Sequence, residues 1–211
     1  MASTDTATTG RRRRPDGEMS RARILNAARE IASERGYEGT SIGAVSAKCG
    51  LPASSIYWHF KDKDDLLAAV IESSFSTWLQ AWEFPVEGSI EERGLAVAAQ
   101  IANGLMASPD FIRLGLMLAL ERRPVEPRAR ATYISVRAQA GYALASGFRE
   151  LMPALSPAQL SQLSAYALAG ADGLFIAKEI NGDMINLIEL FELHARAVIA
   201  AATAMAAGGS A

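Results

Sequence analysis

Residues 40–63 read T-S-I-G-A-V-S-A-K-C-G-L-P-A-S-S-I-Y-W-H-F-K-D-K, and the fold follows from how this stretch divides. Thr40 and Ser41 can offer side-chain oxygens to the free N–H groups of a first helical turn. Ile42, Val45 and Cys49 then recur at helical spacing and make one apolar face. Gly50 suits the residue after a helix, where positive φ costs glycine nothing. Pro52 restarts a helix, because its fixed φ fits a first turn and its missing N–H is not needed there. Ile56 and Phe60 form the inner stripe of that second helix, with Ser54, Ser55, Tyr57, Trp58 and His59 around the rest. Trp58 and Phe60 are expected in the core, and Cys49 as a small core hydrophobe. A short helix, a glycine turn and a second helix with a polar and aromatic face form the pattern of a helix-turn-helix that enters the major groove.

Outward from this stretch the chain reads as helix throughout. On the N-terminal side, residues 1–17 are rich in Ser, Thr, Gly and Arg and predict a disordered tail. Its Arg11–Arg14 run is a candidate arm for phosphates or the minor groove. Ser20 is expected to cap the first helix, Ile24, Ala27, Ala28 and Ile31 to bury one stripe, and Gly36 to stop it. On the C-terminal side, Asp62 caps a long apolar helix through about Trp82, placed to join a small domain to a larger one. Further helices are expected over 89–107, 109–122, from Pro127 to about Met152, 157–180 and 185–205, separated by Pro and Gly. The expectation is an all-α chain of about nine helices. It divides into a tail at 1–17, a helix-turn-helix domain at 18–66, a larger helical domain at 67–206 and a frayed end at 207–211.

Composition agrees and excludes alternatives. Half of the 211 residues are hydrophobic, ample for a buried core. The single cysteine allows no internal disulfide framework. No apolar run reaches the ~18 residues of a membrane span, and no signal-peptide core is evident, so a cytoplasmic protein without membrane contact is expected. Through Lys63 there are 11 Lys and Arg against 7 Asp and Glu, whereas the whole chain carries −2. A basic head on an acidic body suits a duplex-facing module.

G-Y-E-G-T-S at 36–41, A-K-C-G-L at 47–51 and S-I-Y-W-H-F-K-D-K-D-D-L at 55–66 resemble the TetR (tetracycline-repressor-like) family of transcription regulators. The resemblance runs from about Ser20 to Leu67. It implies that Ala53, Ser54, Ser55, Tyr57, His59 and Lys63 face double-stranded DNA, Tyr57 and Lys63 on phosphates. The first-turn N–H groups of the helix opened by Ser41 add a phosphate cradle. Two positions depart from the family pattern: Pro52 replaces a small hydroxyl cap, and Ser54 a glycine. No Arg, Asn or Gln stands on the second helix, so the strongest bidentate base readers are missing.

The resemblance further implies a homodimer through the last two helices, reading a palindromic operator. Ala165, Ala169, Ala171 and Gly173 would permit their close approach. It also implies a pocket for a small, mostly apolar effector among the aromatics of the larger domain. Trp78, Phe111 and Phe175 are candidates there, with Tyr133, Arg137 and Tyr142 on one helix. No Cys/His cluster has metal spacing, and there is no P-loop, dinucleotide-binding G-x-G-x-x-G or G-x-S-x-G. An enzyme reading has no residues to assign, and no cofactor is called for. The function expected is a repressor released from its operator by an effector. The rivals are an activator or global DNA-binding regulator of the same fold, and a helical small-molecule-binding protein whose head has lost DNA binding.

Overall fold

The computed structural model describes residues 13–80, 82–121 and 125–208, and within them every regular element is helical. The helices are α1 (Arg13–Gly39), α2 (Ile42–Cys49), α3 (Ala53–His59), α4 (Lys63–Gln80), α5 (Ile90–Ala107), α6 (Asp110–Leu120), α7 (Arg128–Leu151), α8 (Pro157–Asn181) and α9 (Leu187–Gly208), with a 3-10 turn at Gly182–Met184.

Local chemistry sets most boundaries. Gly36 breaks α1 with φ 66° and ψ −171°, and the last residues turn toward α2. Ser41 caps α2 by accepting from the Ala44 N–H, and Gly50 closes it in the left-handed region at φ 66°. Asp62 accepts from the Asp65 N–H at 2.8 Å and so opens α4. Ser89 with Glu92, and Ser156 with Gln159, form reciprocal capping boxes on α5 and α8.

Three expectations about boundaries change. Ser20 does not cap α1: the helix begins at Arg13, inside the expected 1–17 tail, and the Ser20 hydroxyl donates to the Asp16 carbonyl within it. Residues 13–20 contain Pro15 and Gly17, but Pro15 sits in a first turn where its missing N–H costs nothing, and the helix runs on through Gly17. Arg11 and Arg12 lie outside the described residues. At the other end α9 continues through Gly208. Finally, α9 is long and apolar enough, at 22 residues and mean hydropathy 1.3, to cross a membrane by length and composition alone. Its alanine-rich second half raises the average. In the fold it packs along α5 and α8 and buries Phe191, Val198 and Ala202 there.

Two cores meet on α4. The head core gathers Ile24, Ala28 and Ile31 of α1, Val45 of α2, and Ile56 and Phe60 around α3. Leu66 and Val70 complete it from α4, whereas Leu67, Ile71 and Phe75 of the same helix enter the body core. These two sets are i,i+4 stripes, neighbouring rows of one helix. The head is therefore seated on a helix that belongs equally to the body. Polar contacts reinforce the seat. The Asp64 carboxylate accepts from the Arg128 N–H at 2.6 Å, from the Ala129 N–H at 3.1 Å and from the Tyr37 hydroxyl at 3.2 Å. Pro127, the residue preceding α7, has no capping side chain of its own. Asp64 thus caps α7 from α4.

Candidate nucleic-acid interface and ligand cavity

The head presents α3 as its outer helix. Ile56 and Phe60 are buried, which turns the opposite side to solvent. Arg23 of α1 donates to the Cys49 carbonyl at 2.6 Å, and Ser46 donates to the Leu51 carbonyl at 2.7 Å. Together they hold the turn between α2 and α3, so the angle of α3 is set by the scaffold. On the exposed side stand Ser54, Tyr57 at 56% exposure and Trp58 at 77%. The edge of the Trp58 ring lies over Gly17 of α1, 4.0 Å from where a Cβ there would stand. His59 packs edge-on against Trp58 at 4.7 Å between ring centroids. Burial, and next the charge of Arg21, hold its imidazole below the ordinary value of 6.5. It therefore gives up its proton more readily than an ordinary histidine.

The body encloses a cavity of about 120 Å³ between α4, α5, α6, α7, α8 and α9. One wall is a run of rings: Phe75 to Trp78 at 5.8 Å, Trp78 to Phe111 at 5.5 Å, Trp78 to Trp82 at 4.5 Å and Trp82 to Phe84 at 6.3 Å. The opposite wall carries Arg137 of α7 and Asp172 of α8, paired through both guanidinium N–H₂ groups, one of them at 2.8 Å. Burial raises the Asp172 carboxyl against the lowering influence of Arg137. Tyr133 is 2% exposed, and its ring lies so close over Gly115 that a Cβ there would meet it at 2.0 Å. Its hydroxyl is pushed up to about 12 by burial, then by the Asp172 charge, with Arg137 acting against both. Arg137 acts on it by its charge and as a hydrogen-bond donor, and because a guanidinium accepts nothing the Tyr133 O–H proton itself has no acceptor. His194 of α9 also reaches the wall, with Nε2 donating to the Ala167 carbonyl at 3.0 Å. Among the described residues no cluster of His, Cys, Asp or Glu could hold a metal ion.

Residues 24–70, which are the head, match the family described as bacterial regulatory proteins, tetR family. Over these residues the chain is similar to the TetR family. The chain is also similar to the HTH-type transcriptional regulator UidR of Escherichia coli K12, 37% identical over 73 residues, 35% of this chain and 37% of that protein. The alignment thus spans little more than a third of that relative. The fold is similar over far more. SmeT, the repressor of the Stenotrophomonas maltophilia multidrug efflux pump SmeDEF, superposes with a TM-score of 0.68 at 18% identity, covering 88% of this chain and 91% of that one. FadR of Bacillus subtilis, solved with stearoyl-CoA, does so with a TM-score of 0.72 at 16% identity, covering 85% and 98%. At these identities the head carries the TetR-family sequence and the body only its fold.

The positions implied by the TetR-family resemblance fall into place unevenly. Ala53, Ser54, Ser55, Tyr57 and His59 all lie on α3, with Ser54 and Tyr57 exposed and the others half-buried. Ser41 is exposed at the start of α2, its oxygen already engaged by the Ala44 N–H. Lys63 has partners within the head: Nζ donates to the Tyr37 carbonyl at 3.1 Å, pairs with Glu38 at 3.5 Å and lies 4.3 Å above the Tyr37 ring. Trp58 corrects the sequence reading, for it is not in the core. At about 100° per residue, a position two after Ile56 and two before Phe60 must face away from both. That spacing was the available signal, outweighed by the habit of burying tryptophan.

In the body, Trp78, Phe111, Tyr133 and Arg137 line the cavity. Tyr142 does not. Nine residues after Tyr133 is about half a turn out of phase, and Tyr142 stands 77% exposed over an outer groove between α7 and α8. Phe175 does not line it either; it is buried in the body core, a turn beyond Asp172. Asp172, one of the polar residues that the sequence sets among these aromatics together with Arg113, Glu121, Arg137 and Glu179, also lines the cavity. Its signal was a carboxylate amid the apolar face of α8, with an arginine of matching depth on α7.

Proposed function

We propose that this protein is a transcription repressor that binds a palindromic operator as a homodimer and leaves it when a small, mostly apolar effector enters the body. The observation that carries the reading is the pairing of a TetR-family head, with α3 turned outward, and an apolar cavity joined to it through α4. Outward Ser54, Ser55, Tyr57 and Trp58 offer hydroxyls and flat apolar surface to a groove, while backbone contacts position the helix. A cytoplasmic, non-enzymatic regulator fits this reading. SmeT, a repressor of similar fold, supports the sign of regulation.

Geometry of the same kind supports a dimer. α8 and α9 leave Tyr166, Ile176, Ile180 and Leu193 exposed beside Ala165, Ala169 and Gly173. A second copy against this face would set two recognition helices about one helical turn of DNA apart, ~34–36 Å. Coupling runs through the seat of the head. Trp78 and Tyr133 touch the cavity on the helices that Asp64 joins, and Arg29 of α1 lies 4.0 Å from Asp110 of α6, which carries Phe111. An effector that favours one arrangement of α4, α6 and α7 changes the head spacing by its difference in affinity for the two.

The test is selection of bound duplexes from a random pool by the full-length protein. The expected product is an inverted repeat with half-sites one turn apart. Tight binding of apolar ligands with no duplex enriched would instead establish the small-molecule-binding rival.

A further inference from the structure

We propose that the effector is an uncharged apolar molecule of roughly single-ring width that presents a hydrogen-bond acceptor, such as a ketone or ester oxygen, to the Tyr133 hydroxyl. The inference rests on reading the body cavity as the effector site, and it names the chemistry that site takes.

Charge balance supplies the first argument. Among the described residues, Arg137 and Asp172 are the charged side chains on the wall, and each is engaged by the other through two contacts. His194 directs its Nε2 proton to Ala167. A ligand ion entering this space would find no unpaired counter-charge. Burying an unpaired ion is strongly unfavourable even after relaxation. An anion would have to break Arg137 away from Asp172, leaving that carboxylate buried and alone. A cation would have to do the converse. The rest of the wall is aliphatic and aromatic.

Hydrogen-bond accounting supplies the second. Three donors on lining side chains are buried without an acceptor: the Tyr133 hydroxyl and the indole N–H groups of Trp78 and Trp82. All are donors, and none of the three can be satisfied by an apolar guest. Unmet buried donors are costly, so a guest that brings an acceptor gains more than a hydrocarbon of the same shape. The Trp78 indole edge lies against Gly104 of α5, where a Cβ would stand 2.8 Å from the nitrogen. The Tyr133 hydroxyl is instead set beside the Arg137–Asp172 pair, at the polar end of an otherwise apolar space. It stays protonated, and so a donor, across all ordinary pH. The aromatic wall from Phe75 to Phe84 faces the flat apolar part of the guest.

Four probes of one ring size separate the possibilities: acetophenone, ethylbenzene, benzoate and benzylammonium. Each is titrated into ¹⁵N-labelled full-length protein and followed on the three tryptophan indole N–H resonances, with exposed Trp58 in the head as internal reference. Acetophenone is expected to shift the Trp78 or Trp82 signal while leaving Trp58 in place, and to bind about tenfold more tightly than ethylbenzene. Benzoate and benzylammonium are expected to bind more weakly than acetophenone. In Tyr133→Phe the advantage of the ketone over ethylbenzene is expected to vanish while ethylbenzene affinity is kept. Equal affinity for ethylbenzene and acetophenone in the wild-type protein overturns the acceptor assignment alone. Tightest binding by either ion overturns the charge argument. If none of the four moves Trp78 or Trp82, the cavity is not the effector site, and the reading beneath this inference falls with it.

Discussion

Trp58 is the side chain whose position most changes the expected chemistry of the head. Its ring is three-quarters solvent-exposed on the outward side of α3, so removing it takes nothing from the core. Trp58→Ala is expected to leave the melting temperature within about a degree or two, as surface substitutions do. Duplex affinity should fall roughly tenfold, the scale of one or two lost direct contacts; gel shift and thermal melting together check this. Lys63 behaves differently because it already serves Tyr37 and Glu38. If it also holds a phosphate, Lys63→Ala weakens binding to every sequence and lowers the salt slope by about one. An unchanged slope would leave it the role of fastening the Gly36–Thr40 turn. His59 adds a pH dependence. Its folded-state value lies below 6.5, so the unfolded chain binds the proton more readily and stability drops as pH falls through the ordinary histidine range. A phosphate beside the ring acts the other way and favours the cation. Duplex affinity should therefore rise as pH falls from about 8 to about 6, and His59→Gln should flatten that rise in a fluorescence-anisotropy titration.

At the scale of elements, the proposed coupling runs through the junction of α4 and α7. A proline-initiated helix with no side-chain cap of its own depends on a carboxylate from another helix. That carboxylate also takes the Tyr37 hydroxyl, so one side chain pins the end of α1, the start of α4 and the start of α7. Replacing Asp64 with Ala should cost about 1 kcal/mol, the usual worth of a helix cap, read by urea unfolding. Its larger effect should be on response: the variant is expected to bind operator and effector but to release DNA less completely when effector is added. Full release by Asp64→Ala would show that the coupling travels elsewhere, for example through Asp110 and Arg29.

At the scale of the molecule, the exposed side of α8 and α9 is the proposed twofold contact that would bring two heads to DNA. Ile176 and Ile180 are exposed on that side, a turn apart. Ile176→Glu is expected to convert a dimer to a monomer in sedimentation, because a charge in the centre of an apolar interface is costly to bury. Operator affinity should then fall by far more than any single contact change, since two linked heads bind with an effective concentration that a lone head lacks. An undiminished dimer in that variant would place the twofold contact on another surface.

Local sequence determined the helices of this protein and the character of its head. Ser41, Gly50, Asp62, Ser89 and Ser156 each cap through bonds to residues a few positions away, and such bonds are written in short windows. The run from Ser55 to Leu66 likewise carries its meaning within itself. Tertiary structure alone decided the rest. Whether Trp58 faces in or out depends on where α1 lies, and whether Tyr133 or Tyr142 meets the cavity depends on the phase of α7 against α8. The Arg137–Asp172 pair spans 35 residues and the Asp64 cap of α7 about 64. Contacts at that separation arise only when packed helices bring them together, because no short window of sequence contains both partners.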